Sequence, residues 1–459
     1  MEAEAGTGGS RRRWSRAGSV LALAAAVAVA AATLGVLTAR GSSGAEPPAP
    51  QRIAAVTPGD LSPGRSAAGA IERAQQRVER LPGDWVTWAS LGLAYVQQAR
   101  LTGDPSYYPK AEGVLHRSLA VRPDGNAVAL AGMGALAAAR HDFGSALSYG
   151  RRAVAVNPSS ALAWGVVTDA CVELGRYGEA GDAVQRMLDI RPDTGSLTRG
   201  SYLLELRGDV RGARELLDQA LTYAPTPEDA GYVLYYQGEL AFNAGDLRTA
   251  AARYTEGLRR APAYLPLIEG RAKVAAAQGD RTAALADYAT LAARLPLPAY
   301  LVAYGDLLAA GGDRAGAERQ YAVVRAQQKL AAGFGVDVDL EVALFDADHD
   351  AVADAVRAAG AAVKRRPSVL AADAYGWALH AAGRDREALP YARSAQRLGT
   401  RSALFRYHLG AIEAALGQDA AARRDLAAAL TLNPGFSPLH APRARDLLTR
   451  LGGPAGGAR

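Results

Sequence analysis

The chain has 459 residues, of which 103 are Ala, 48 Arg, 4 Lys and only 1 Cys. That one cysteine, Cys171, rules out a disulfide scaffold and a Cys-based zinc or iron–sulfur centre, and 49% apolar with 21% charged residues are the proportions of a folded chain. The net charge of +6 owes most of its excess to Arg11, Arg12, Arg13 and Arg16; the remainder is near balance, without the clustered basic face that a nucleic acid requires.

Residues 1–16 read as a basic tail. Residues 17–39 carry no charge and are mostly Ala, Val and Leu. As a helix rising ~1.5 Å per residue they reach roughly 34 Å, enough for a hydrocarbon core of about 30 Å. Basic residues ahead of such a span favour a cytoplasmic amino terminus. The expectation is a single-pass cell-membrane protein whose remaining chain is extracytoplasmic. The alternative is a signal segment cut near Ser43, Gly44 and Ala45, which would release a secreted, soluble peptide- or ligand-binding protein. Residues 40–65, rich in Gly, Ser and Pro at their start, read as a linker.

From there one pattern recurs. Ala stands at 111, 146, 180, 213, 250, 284, 317, 355, 388 and 422, with gaps of 33 to 38 residues. Five residues earlier there is often Gly, as at Gly175, Gly208, Gly245, Gly279, Gly312, Gly383 and Gly417. Twelve residues later there is usually Pro, as at Pro123, Pro158, Pro192, Pro225, Pro262, Pro296, Pro367 and Pro434. Each mark has a mechanical reason. Gly ends one helix in the left-handed region, a following Asp caps the next, and Pro stops that second helix because it has no N–H to donate. Two helices per period give ordinary helix lengths. The fold class is therefore all-α, a solenoid of about ten helix pairs.

Trp88, Leu91, Gly92 and Tyr95, together with Ala250, Tyr254 and Pro262, carry a resemblance to the tetratricopeptide repeat (TPR) family. It runs from about residue 70 to 434. It implies a right-handed superhelix, a concave face lined by the first helix of each pair, and extended peptides or partner segments as ligands. The solenoid is expected over 83–436, with an amino-terminal capping helix in 66–82, a carboxy-terminal one in 437–452 bearing solvated Arg443, Arg445 and Arg450, and a tail at 453–459. The first pair holds extra residues near 102–109. Lys329 and Thr400 replace Pro, and 330–350 is the least regular stretch. The excess of Arg and Ala is associated with the genome of a GC-rich bacterium.

Little else suggests chemistry. There is no metalloprotease, P-loop or nucleophile-elbow motif. The six His fall in different pairs, and Cys171 reads as a packing thiol. Asp346, Asp348 and Asp350 copy the start of a calcium loop, but Ala351 and Arg357 stand where its Gly and Glu belong, so Asp350 is read as a turn residue. No cofactor, metal or catalytic residue is expected. An enzyme-accessory role centred on 330–350 is the lesser alternative. Projecting the TPR phase places Tyr202, Glu205, Tyr232, Tyr235, Glu239, Phe242, Lys273, Trp377, His380 and Tyr407 towards the groove, where aromatic residues would serve a protein or peptide partner. The position at which one TPR subclass grips a terminal carboxylate is nowhere basic, running from Ala89 to Tyr407, which speaks against that clamp. The functional expectation is a membrane-anchored, non-catalytic scaffold.

Overall fold

The computed structural model describes residues 67–336 and 340–453. Among them there are twenty-two helices. α1 (Ala67–Arg80) stands alone. Ten pairs follow: α2 (Trp85–Thr102) with α3 (Tyr107–Val121), α4 (Ala127–Ala139) with α5 (Phe143–Val156), α6 (Ala161–Glu173) with α7 (Tyr177–Ile190), α8 (Thr194–Leu206) with α9 (Val210–Thr222), and α10 (Pro227–Asn243) with α11 (Leu247–Arg260). The later five are α12 (Leu265–Ala277) with α13 (Arg281–Arg294), α14 (Pro298–Ala310) with α15 (Arg314–Gly333), α16 (Leu340–Asp348) with α17 (Val352–Arg365), α18 (Val369–Ala381) with α19 (Asp385–Ala395), and α20 (Ala403–Ala415) with α21 (Asp419–Leu432). α22 (His440–Arg450) closes the described chain.

Local signals set these boundaries. Asp142, Asp209, Asp246, Asp280 and Asp313 each accept a backbone N–H three residues on, capping the second helix of their pairs. The turn before them has positive φ at Gly175, Gly208, Gly245, Gly279, Gly312, Gly383 and Gly417, and His141 and Asp350 take that conformation in the second and eighth pairs. Asp350 is thus a turn residue, as its phase suggests. At Lys329, where Pro is missing, α15 runs on to Gly333. First helices such as α6, α10 and α18 are buried nearly all round, whereas second helices such as α11 and α13 bury one stripe. The first helices therefore form an inner wall and the second an outer one, each helix packing mainly on its neighbours in sequence. Arg443 of α22 departs from its expected solvated place: it is half-buried and faces Tyr407 and Asp348.

The solenoid has two edges, one carrying the turns within pairs and the other the loops between pairs. It coils until these edges meet. The Tyr177 hydroxyl accepts from Val369 N at 2.9 Å, and Arg366 reaches Glu173 at 3.4 Å. Thr400 donates its hydroxyl to Leu206 O at 2.5 Å, and Asn433 Nδ2 donates to Phe242 O at 2.7 Å. The partners in these contacts lie 191 to 194 residues apart, between five and six pairs, so the turn edge of pairs three to five seats on the loop edge of pairs eight to ten. Glycine is required where backbones touch. A Cβ on Gly175, Gly208 or Gly245 would overlap the carbonyl of Pro367, Gly399 or Leu432, whereas one on Gly279, Gly312, Gly383 or Gly417 would meet nothing within 4 Å.

The expectation of a single-pass membrane protein is corrected here. No helix among the described residues is long and apolar enough to cross a membrane. The longest, α15, has 20 residues and carries Arg314, Glu318, Arg319, Arg325 and Lys329. Residues 17–39, on which that expectation rested, lie outside the described residues, as do the cleavage site considered at 43–45 and most of the 453–459 tail.

Candidate functional site

The inner wall holds a ladder of buried polar pairs that link successive first helices. Arg199 of α8 grips Asp169 of α6 through two bonds of 2.7 Å. Asn243 of α10 donates to Glu205 of α8 at 3.0 Å. Lys273 of α12 donates to both oxygens of Glu239 on α10, at 2.8 and 2.6 Å, and the Tyr254 hydroxyl of α11 donates to the same carboxylate at 2.6 Å. The Tyr235 hydroxyl donates to Glu269 at 3.1 Å. Farther on, Trp377 of α18 donates to Asp348 of α16 at 2.9 Å, and His408 Nδ1 of α20 lies 2.9 Å from Asp373 of α18. Each pair satisfies groups that would otherwise be costly to bury.

Burial shapes the acid–base state of this wall. Burial pulls the Lys273 ammonium down, yet the charges of Glu239 and Glu269 outweigh it and hold the group above its ordinary value. Burial pushes Glu205 and Glu269 upward. It pushes the Cys171 thiol up to about 11, consistent with a packing residue held as the neutral thiol.

Of the ten residues expected in the groove, eight are buried: Tyr202, Tyr232, Tyr235, Glu239, Phe242, Lys273, Trp377 and Tyr407. Glu205 and His380 are half-buried. Tyr235 is only 2% exposed; its ring packs edge-on against Tyr236 and Tyr264. Tyr232 packs edge-on against Tyr236 at 4.8 Å. Lys273 lies 4.9 Å from the centre of the Phe242 ring. Three of the ten, Tyr202, Glu205 and Phe242, do converge on one cavity of about 80 Å³. It lies at the seam, closed from the opposite turn by Leu370, Thr400, Phe405, Asn433 and Phe436. The Phe436 ring continues to Tyr407 at 5.8 Å, so the early and late groups of expected residues meet through it.

The late group contains what sequence spacing concealed. His380, His408 and His440, read as scattered, come together around Trp377. His408 stacks on its ring at 4.1 Å, His380 lies at 4.9 Å and His440 at 5.4 Å. His349, the residue after α16, stands beside Tyr321 at 4.1 Å, with its Nε2 3.2 Å from Asp306. His380 also contacts Asp385. Burial, then His408 and Arg443, hold His440 well below the ordinary histidine value, and burial holds Asp348 well above the ordinary carboxylate value. Among the described residues no group of three or more His, Cys, Asp or Glu is arranged to hold a metal ion. The recurrence of a histidine in or just after α16, α18, α20 and α22 was the available signal, but their phases differ, so period alone did not align them.

No protein-family model matches the sequence, and no curated protein matches it. Solved structures similar to it are helical-repeat proteins. A thermophilic TPR protein of Thermus thermophilus is 24% identical, over 41% of this chain and 98% of its own, with a TM-score of 0.36. The human IFIT1 dimer with m7Gppp-AAAA is 16% identical, over 73% of this chain and 78% of its own, with a TM-score of 0.45. The Cut9–Hcn1 hetero-tetramer is 13% identical, over 84% of this chain and 93% of its own, with a TM-score of 0.38.

Proposed function

We propose that this chain is a non-catalytic scaffold that binds a protein segment, and that its binding point is the cleft where the two turns of the solenoid meet. The observation that carries this reading is the seam cavity. Tyr202, Glu205 and Phe242 line it from one turn, and Thr400, Arg401 and Phe436 from the other. It combines aromatic walls with a few polar groups, the make-up of a pocket that orients a ligand. Its volume suits the end of one side chain rather than a whole peptide in a groove. The remaining groove residues, Tyr232, Tyr235, Glu239, Lys273, Trp377, His380 and Tyr407, then support the wall behind that contact. The Arg and Ala excess continues to favour a GC-rich bacterial source.

The test is selection of peptides from a displayed random library on the immobilised full-length chain, followed by anisotropy titration. Selected peptides are expected to lose affinity for Glu205→Trp, which fills the cleft, by about thirtyfold or more, the scale of a lost interface anchor. Peptides that bind Glu205→Trp and Arg401→Trp as well as the parent chain would place the interface elsewhere.

A further inference from the structure

The seam joins a turn edge to a loop edge, and both kinds of edge are also left open. The loop edge is free below the early pairs, and the turn edge is free above the late ones. The open loop edge is apolar in a regular way. Ten residues after each recurring Ala, at the end of the second helix, stand Val121, Val156, Ile190 and Tyr223 in pairs one to four. Val156, Ile190 and Tyr223 are 42%, 38% and 52% exposed. In pairs five and six the same position is Arg260 and Arg294, so the row ends in charge.

What covers this position is visible elsewhere in the same molecule. In pairs nine and ten it is Leu398 and Leu432, both of which pack against the largest apolar cluster. The Leu432 carbonyl lies at the place where a Cβ of Gly245 would fall. Where a turn edge seats on the loop edge, the leucines at this phase are half-buried, and the third such position, in pair eight, is Arg365. The matching surface is also present and unused. The turns of pairs seven, nine and ten, at Gly312, Gly383 and Gly417, have nothing within 4 Å of a Cβ position, whereas the turn of pair six is already met by the seam, where Gly435 lies against Ala277. They are the continuation of the row Gly175, Gly208 and Gly245, which is sealed.

We propose that the open loop edge of pairs one to four docks on the open turn edge of pairs seven to ten of a second copy of this chain, continuing the intramolecular seam from one molecule to the next. The contact is heterologous: it uses a different surface on each partner and leaves one edge free at each end, so it builds a head-to-tail series rather than a closed pair. This goes beyond the cleft reading and uses none of the cleft residues.

Sedimentation velocity on the full-length chain over a concentration series tests it. Average mass should rise with concentration past that of a dimer. Ile190→Asp with Tyr223→Asp should weaken association by about a hundredfold, from the loss of two apolar anchors. Ala382→Glu with Ala415→Glu, at exposed positions beside the open turns, should do the same from the opposite edge. Mixing the two double variants should restore a one-to-one dimer, because each keeps the edge that the other lacks. Both variants should retain the helical circular dichroism and melting point of the parent. The proposal is overturned if the parent stays monomeric, if association survives in either double variant, or if the mixture stays monomeric. It is equally overturned if the Ile190 and Tyr223 changes abolish flotation with phosphatidylglycerol vesicles while the parent remains monomeric. Glu205→Trp should leave the mass distribution unchanged, which separates failure here from failure of the cleft reading.

Discussion

Gly245 and Gly417 occupy the same place in their repeats, yet one is a sealed joint and the other an open turn. Both have positive φ, 79° and 73°. Only Gly245 abuts the backbone of another turn, at Leu432 and Asn433. Asn157 and Asn433 make the same contrast on the loop edge. Each stands eleven residues after its recurring Ala and each accepts a backbone N–H two residues on. Asn433 is 1% exposed and bonds across the seam to Phe242 O, whereas Asn157 is exposed. Identical residues in identical local structure thus carry different loads, set by whether a second turn lies against them.

The largest expected effect lies on the wall behind the sealed stretch, where Lys273 touches both Glu239 and the Phe242 ring. Lys273→Met strands a buried carboxylate and should cost about 3–5 kcal/mol. Arg271, on the same helix, pairs with Asp287 at the surface, and Arg271→Ala should cost less than about 1 kcal/mol. Urea denaturation of both variants checks the contrast, and equal losses would mean that the inner pair is not desolvated. Next comes the turn itself. Gly417→Ala should cost about 1–2 kcal/mol for its left-handed backbone. Gly245→Ala should exceed it by at least about 1 kcal/mol, because the seam must shift as well.

A smaller difference is expected at the two asparagines. Asn433→Ala should lose about 1–3 kcal/mol by leaving buried groups unpaired, and Asn157→Ala no more than about 0.5 kcal/mol, as for most surface changes. Hydrogen exchange of the amides in 243–246 should accelerate only in the first.

The smallest and most graded effect is with pH. His440 is held below 6.5 in the folded chain by burial, then by His408 and Arg443. The unfolded chain therefore binds more protons just below that value, and stability from this group is lost as pH falls from 6.5 towards the folded value. Asp348, raised above 3.8 by burial, acts in the opposite sense: it favours the fold at low pH and loses that contribution as pH rises through its folded value. His440→Asn should flatten the decline on the acid side without altering the Lys273 or Gly245 effects. The urea midpoint near pH 7.5 and near pH 5.5 reads this out; a slope unchanged by the substitution would assign the decline to other groups.

Much of the fold was legible because its determinants are local. Asp246 caps α11, Gly245 turns the chain before it and Pro262 follows its end, so the period in sequence is the period in space. The reading faltered where contacts skip five pairs. The phase of Tyr235 points to the inner wall, but phase does not say whether the wall faces a groove or is packed, and its ring lies against Tyr236, Tyr254 and Tyr264. Tyr202, Glu205 and Phe242 share a cavity because Phe436 and Thr400 arrive from another turn. In sequence Thr400 is only a missing Pro; in space its hydroxyl bonds Leu206 O.

By itself, then, the sequence determined the helix pairs, their caps, their turns and which face of each helix is apolar, because propensity, capping and periodic burial act over a few residues. Tertiary structure alone decided which glycines are sealed, which asparagine is buried, which histidines meet and where the inner wall closes into a cavity. Each pair adds a small rotation to the one before it, and these rotations accumulate over the solenoid. Whether one turn touches the next depends on that accumulated sum, to which every pair contributes and which no single motif encodes.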